Sequence, residues 1–137
     1  MADGFIESLE QVEKYLANIR CILCSDSFDA EKDIDIILST VAGTTGMKNF
    51  EAIGDLSYTK TDIKNALLSL TSSDYSETLP DIKDGSAPLL YVFGKTVKDK
   101  ELYIKVKIRN RTTRQVFCLS FHYAEYPIKK PYSEEGL

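Results

Sequence analysis

Alternation of hydrophobic and polar residues is most regular in one segment of this 137-residue chain, Glu101–Arg109. Four apolar side chains point to one face and four polar ones to the other: Leu102, Ile104, Val106 and Ile108 against Tyr103, Lys105, Lys107 and Arg109. Period-two alternation with β-branched residues predicts a strand with one buried face in an antiparallel sheet. Segments 89–95 and 115–121 are predicted partner strands, joined by hairpins at 95–100 and 110–113.

Helical spacing dominates the first half of the chain. Six apolar residues at three- and four-residue steps predict an amphipathic helix, which a polar cluster at 25–29 ends: Phe5, Leu9, Val12, Leu16, Ile19 and Leu23. Two further helices are predicted over 48–56 and 62–70, the second with Thr61 as its N-cap. Residues 30–42 fit a helix or an edge strand, and the strand is slightly favoured.

Two segments lack such periodicity. Residues 76–88 are rich in turn formers and predict a loop long enough to be functional. Residues 123–137 contain two prolines and predict an extended C-terminal tail. Because the helices precede the strands, we expect an α+β fold with N-terminal helices packed on a small antiparallel β-sheet, in one domain over 1–137.

The charge is distributed unevenly along the chain. A net charge of −4 and a pI of about 5.0 argue against a nucleic-acid partner. However, residues 1–93 hold 7 Lys and Arg against 16 Asp and Glu, whereas residues 94–137 hold 10 against 5. This asymmetry indicates either a polyanion-binding face on an acidic domain or a solvated surface whose charges happen to segregate.

The cysteines and the apolar runs bear on compartment and metal binding. No apolar run approaches the ~20 residues of a membrane span, and no signal-peptide pattern is present, so we expect a cytoplasmic protein without a membrane partner. Cys21-x-x-Cys24 has no second pair. Cys118 and His122, on one strand, would lie about 13 Å apart, too far to share a zinc ion. Buried, reduced thiols, no metal and no cofactor are therefore expected.

The polar face of Glu101–Arg109 carries the candidate chemistry. His122, the only histidine, follows on the next predicted strand, and Lys95, Glu125 and Tyr126 are expected nearby. Metal-free RNA cleavage needs a base for the ribose 2′-OH, an acid for the departing oxygen, fixed cations and rings that stack bases. This face offers all of these. The same residues also suit a structural histidine and lysines that serve solubility.

Four segments together resemble the MqsR family of toxins from bacterial type II toxin–antitoxin systems: Ile63–Tyr75, Leu90–Lys95, Glu101–Lys107 and Val116–His122. Toxins of that family have the RelE superfamily fold. The resemblance covers about 48–122. Its most specific element is a Tyr-x-Lys strand followed, after a hairpin, by a strand with a hydrophobic-Ser-Phe sequence. The resemblance also favours a strand before Lys48, over 33–41.

The resemblance implies a sequence-selective mRNA endoribonuclease, acting on mRNA that is free or on the ribosome and neutralised by a cognate antitoxin. The implied catalytic residues are Tyr103 and Lys105, with His122 in place of a family lysine. Lys107, Arg109 and Lys95 are expected to bind phosphate. Glu77 and Leu90 depart from the family pattern, which has a lysine and a glutamine there.

Two other functions remain open at this stage. The acidic helices or the cationic sheet face of a non-catalytic module would bind a protein partner. Alternatively, the same face would bind RNA or a phosphate ligand without turnover, and that binding would weaken with salt.

Overall fold

A five-stranded sheet organises the computed structural model, which describes residues 4–80, 89–109 and 114–133. The strands are β1 Ile34–Ile36, β2 Tyr75–Leu79, β3 Leu90–Val97, β4 Lys100–Ile108 and β5 Val116–Tyr123, in the order β1-β5-β4-β3-β2. Strands β2 to β5 pair antiparallel, whereas β1 lies parallel to β5. The α+β prediction is confirmed, and the sheet is mixed rather than purely antiparallel because of β1.

Four α-helices accompany the sheet in the described residues: α1 Leu9–Leu23, α2 Ala30–Asp33, α3 Thr45–Leu56 and α4 Lys60–Leu68. A short 3₁₀ helix, Ser72–Asp74, precedes β2. Helix α1 begins at Leu9, later than predicted, because the Ser8 side chain accepts a hydrogen bond from the Gln11 amide. Phe5 forms an antiparallel bridge with Thr78 instead. Helix α4 begins two residues before the predicted start, and the prediction of Thr61 as N-cap is wrong. Thr59 and Asp62 form a capping box there.

The ambiguous segment 30–42 contains both a helix and a strand. Helix α2 leads directly into β1, so the preference for an edge strand is correct only over Ile34–Ile36. The predicted loop at 76–88 is wrong at its start because β2 occupies Tyr75–Leu79, and residues 81–88 lie outside the described residues. The predicted hairpin at 110–113 also lies outside them. The hairpin between β3 and β4 is present, with positive φ at Lys98 and Asp99, as the favoured two-residue turn requires.

The core lies between one face of the sheet and helices α1 and α4. Its fully buried side chains come from both layers and include Leu16, Ile19, Leu67, Ile104 and Phe121. Tyr15 of α1 stacks on Tyr91 of β3, with ring centroids 3.7 Å apart. None of the helices within the described ranges is long and apolar enough to cross a membrane.

The three thiols differ in environment. Cys118 of β5 is fully buried, and this burial raises the pKa of its thiol to about 12. Cys21 and Cys24 are exposed at the end of α1, so the expectation that they are buried is wrong. The reason is helical spacing, since the core face of that turn is taken by Ile19 and Leu23.

The C-terminal segment folds back on the molecule. Strand β5 extends to Tyr123, and residues 124–133 after it contain no helix or strand. The Tyr132 hydroxyl donates to the Glu7 carbonyl over 2.6 Å, and Lys130 pairs with Glu101 at 2.7 Å. Gly94 permits this close packing, because a Cβ there would lie 2.9 Å from the side chains of Ile128 and Lys130.

Candidate active site

A cleft of about 630 Å³ opens on the face of the sheet that is turned away from the core. Strands β2, β4 and β5 form its floor, and the segments before α1 and after β5 form its walls. The residues that line it are Gly4, Phe5, Ile6, Thr45, Ser76, Glu77, Tyr103, Lys105, Ser120, His122, Glu125, Tyr126, Pro127, Ile128 and Lys129. Tyr103, Lys105 and His122, the three predicted catalytic residues, are all among them.

Strand register brings these side chains together. Tyr103 of β4 lies opposite His122 of β5. Two residues along β4, Lys105 lies opposite Ser120 on one side and Val92 on the other, and Val92 pairs in turn with Glu77 of β2. Directly opposed residues project from the same face of a sheet. Two neighbouring cross-strand rows therefore present a tyrosine, a histidine, a lysine, a serine and a carboxylate to one cleft.

A β-bulge at Leu119 sets the orientation of the β5 side chains. Lys105 pairs with Ser120 whereas Val106 pairs with Cys118, so Leu119 has no partner on β4. An extra residue shifts the alternation of a strand by one position. Cys118 and Phe121 are consequently both buried in the core although they are three positions apart, and His122 turns towards the cleft.

Asn49 of α3 stabilises this bulge. Its side chain is fully buried and donates to the carbonyls of Leu119 over 3.0 Å and Ile37 over 2.9 Å. Its carboxamide oxygen accepts from the Phe121 amide over 2.8 Å. A residue of a parallel neighbouring strand would make the same pair of bonds to β5. Asn49 thus continues the hydrogen bonding of β1 to β5 beyond Ile36, where β1 ends.

The ring of His122 stacks on that of Tyr103, with centroids 5.5 Å apart and an interplanar angle of 20°. His122 Nδ1 lies 2.9 Å from the Tyr123 carbonyl oxygen. Because a carbonyl only accepts, Nδ1 carries a proton, and in the neutral imidazole Nε2 holds the lone pair. The imidazole is therefore oriented so that Nε2 is the nitrogen that exchanges a proton with the cleft.

Lys105 lies between the tyrosine and the carboxylate of Glu77. Its Nζ is 5.5 Å from the Tyr103 ring centroid. Partial burial lowers the pKa of Lys105, and the negative charge of Glu77 opposes that shift. Burial, and secondarily Glu77, raises the pKa of Tyr103, so its hydroxyl stays protonated. The tyrosine is a hydrogen-bond donor in this cleft rather than a base.

The other predicted cations do not line the cleft. Lys107 has only 3% of its surface exposed, and its Nζ lies 5.7 Å from the Phe117 ring centroid. Arg109 pairs with Asp35 at 2.8 Å and stacks on the same ring. Lys95 lies opposite Leu102, on the core-facing side of β3, where it pairs with Asp74 at 3.7 Å. Alternation places Lys107 and Arg109 on the same face of the sheet as Lys105, but in cross-strand rows that lie outside the cleft.

The cleft also contains residues that sequence reasoning did not single out as functional, namely Ser120, Lys129 and Glu77. Ser120 belongs to the hydrophobic-Ser-Phe pattern, so the sequence did contain a signal for this residue. Lys129 comes from the tail, whose path no sequence pattern specified. Glu125 and Tyr126 do line the cleft, as expected, and a salt bridge to Lys48 lowers the pKa of Glu125. No three His, Cys, Asp or Glu side chains among residues 4–80, 89–109 and 114–133 are grouped to hold a metal ion.

Comparison with known proteins identifies the family. A family model described as motility quorum-sensing regulator, toxin of MqsA, matches residues 33–123, more than half of the chain. No curated protein and no solved structure matches it. The matched range includes all five strands and every predicted catalytic residue. The chain therefore belongs to the MqsR toxin family and is the toxin component of a toxin–antitoxin system.

Proposed function

We propose that this toxin is a metal-independent endoribonuclease that cleaves single-stranded mRNA in the cleft on the open face of the sheet. The observation that carries the proposal is the convergence of Tyr103, Lys105 and His122 on that cleft. These side chains supply a hydrogen-bond donor, a cation and a proton-transfer group. Cleavage by attack of the ribose 2′-OH on the adjacent phosphate uses all three.

Each residue has a defined task in this reaction. Lys105 binds the scissile phosphate, and the added negative charge favours its protonated form against the effect of burial. The Tyr103 hydroxyl donates to a phosphate oxygen and stabilises the charge that develops there. His122 transfers a proton through Nε2, because Nδ1 is occupied by the Tyr123 carbonyl.

Substrate binding extends beyond the reacting phosphate. The exposed ring of Tyr126 and the cation of Lys129 stand at the cleft wall, and together they suit a stacked base and a neighbouring phosphate. Arg109 lies on the same face of the sheet, outside the cleft, where it would contact phosphates further along the bound RNA. Lys95 and Lys107 contribute to phosphate binding only through long-range attraction, since neither side chain lines the cleft.

The proposal includes a cytoplasmic cognate antitoxin that neutralises the toxin, because the family model is described as a toxin of MqsA. An uncontrolled ribonuclease would stop protein synthesis, so expression without that partner is predicted to arrest growth.

The test is expression of the chain alone and of three variants, Tyr103→Phe, Lys105→Ala and His122→Ala. Each variant is predicted to relieve the growth arrest at an equal protein level. Lys14→Ala, on the exposed face of α1, is the matched control and is expected to remain toxic. Full toxicity of all three cleft variants, or cleavage of a long RNA by purified protein only in the absence of EDTA, would contradict the proposal.

A further inference from the structure

Cleavage of RNA through the 2′-OH needs two proton-transfer groups, and the proposed site so far supplies one. A base takes the proton from the 2′-OH, and an acid gives a proton to the departing 5′-oxygen. In the proposed site the Tyr103 hydroxyl and Lys105 are both engaged with the phosphate, and burial raises the pKa of Tyr103, so that it does not act as a base. His122 fills one role. The cleft must hold a second group.

Glu77 occupies the required place. It lies on β2, in the same cross-strand row as Val92 of β3 and Lys105 of β4. Glu77 and Lys105 are two strands apart, about 10 Å between backbones, a gap that their long side chains can close. His122 lies on the other side of Lys105, on β5. A phosphate held by Lys105 therefore has a carboxylate on one side and an imidazole on the other.

The surroundings of Glu77 also suit a base. Within the described residues it makes no hydrogen bond or ion pair that would occupy its oxygens, although its charge acts on both Tyr103 and Lys105. It is half-buried at the cleft floor, next to Gly4. A carboxylate whose oxygens are not held by a cation can take a proton from a bound hydroxyl group.

We propose that Glu77 is a further catalytic residue, the general base that pairs with His122 as general acid. A Glu77 oxygen takes the 2′-OH proton, and the 2′-oxygen forms its bond to phosphorus. The bond from phosphorus to the 5′-oxygen then breaks, and imidazolium Nε2 gives its proton to that oxygen. The products are a 2′,3′-cyclic phosphate and a 5′-hydroxyl. This inference rests on the proposed ribonuclease function and explains why the chain tolerates Glu77 where the family pattern has a lysine.

The test is steady-state kinetics of full-length wild type and Glu77→Gln over a range of pH. The substrate is an oligoribonucleotide that spans a cleavage site first mapped on a long mRNA. Other titratable groups line the cleft and contribute to the profile: Tyr103, Lys105, His122, Glu125, Tyr126 and Lys129. We expect kcat to fall by about 10²-fold or more, and the fall in rate at acidic pH to disappear. KM is expected to stay constant or decrease, because a negative charge is removed from an RNA site.

A matched control and two contrary outcomes make the test decisive. Glu13→Gln removes an exposed carboxylate from α1, away from the cleft, and is expected to match wild type. If Glu77→Gln cleaves as fast as wild type or faster, or keeps the acidic fall in rate, Glu77 is not the base. A wild-type protein that does not cleave RNA at all overturns the ribonuclease function itself, and with it this role, so the two failures are distinguishable.

Discussion

Tyr103 and His122 lie directly opposite each other on β4 and β5, and their rings stack with centroids 5.5 Å apart. The Tyr123 carbonyl fixes the other edge of the imidazole, at Nδ1. Ring stacking on one side and a backbone hydrogen bond on the other leave little freedom for the imidazole to rotate. The tyrosine therefore serves both as an orienting ring and as a hydroxyl donor, and these two roles can be separated.

Substitutions of Tyr103 separate its ring from its hydroxyl. Tyr103→Phe keeps the stack and removes a donor to a charged phosphate, which is worth about 1.5–3 kcal/mol, so kcat is expected to fall by roughly 10- to 150-fold. Tyr103→Leu also removes the stack, so its kcat is expected to be lower still. Single-turnover cleavage rates check the order. Equal rates for the two variants would mean that the ring does not orient His122.

Lys105 should titrate below the ordinary value for a lysine side chain. Burial lowers its pKa from 10.5, and the negative charge of Glu77 counteracts that effect. Glu77→Gln removes the counteracting charge, so the pKa of Lys105 is expected to fall further in that variant. An NMR pH titration of the lysine side chains, assigned with Lys105→Arg, measures both values. An increase in the pKa of Lys105 on removal of Glu77 would contradict the arrangement of the cleft.

The same shift affects folding stability. Between the lowered folded pKa and 10.5, the unfolded chain binds the Lys105 proton more often than the folded protein does, so the contribution of Lys105 to the free energy of unfolding rises with pH in that window. Lys105→Met removes this dependence. Its stability relative to wild type is expected to be highest at neutral pH and to decrease as pH rises, as measured by urea unfolding. The raised pKa values of Cys118 and Tyr103 act in the opposite direction at alkaline pH, but wild type and variant share both groups, so their effects cancel in the comparison.

Asn49 is expected to be essential for the bulge in β5. Asn49→Ala leaves two carbonyls and the Phe121 amide without their partner, which is expected to lower the free energy of unfolding by about 2–3 kcal/mol. Asn49→Asp is expected to be at least as harmful, since a carboxylate accepts from Phe121 but cannot donate to the carbonyls. Denaturant unfolding measures both. The control is Asn65→Ala on the exposed surface of α4, and an equal loss there would refute the special role of Asn49.

Gly94 is expected to control how closely the tail packs. In Gly94→Ala the new Cβ would lie 2.9 Å from the ends of two flexible side chains, Ile128 and Lys130, which must move. Faster amide hydrogen exchange over 124–133 is therefore expected, with little change in global stability. Gly54→Ala, which meets nothing within 4 Å in helix α3, is the control and should stabilise by about 0.5–1 kcal/mol. Unchanged exchange in Gly94→Ala would mean that the tail does not need the glycine.

The features that were predicted best from the sequence are those that local periodicity determines. The regular alternation of Glu101–Arg109 located β4 and assigned its side chains to the correct faces. It could not determine which row of the polar face stays open, and Lys107 proves buried while Lys105 lines the cleft. Openness depends on which other segments cover a strand, and those contacts come from distant parts of the chain.

Two features were missed because they depend on such long-range contacts. The bulge at Leu119 is supported by Asn49, 70 residues away, so the sequence of β5 alone does not reveal it. Strand β2 reads as a loop because Ser76 and Glu77 are polar, and its pairing with β3 includes a shift in register between Tyr75 and Glu77. As a result, the position of Glu77 in the cleft could be recognised only from the fold.

The most direct test of the central claim is end analysis of an RNA cleaved by the purified toxin, beside the same oligonucleotide with one 2′-deoxy sugar at the cleavage site. Attack by the 2′-OH predicts a 2′,3′-cyclic phosphate and a 5′-hydroxyl, no cleavage of the 2′-deoxy substrate, and loss of activity in His122→Ala. Cleavage of the 2′-deoxy substrate, or products that end in a 3′-hydroxyl, would contradict it.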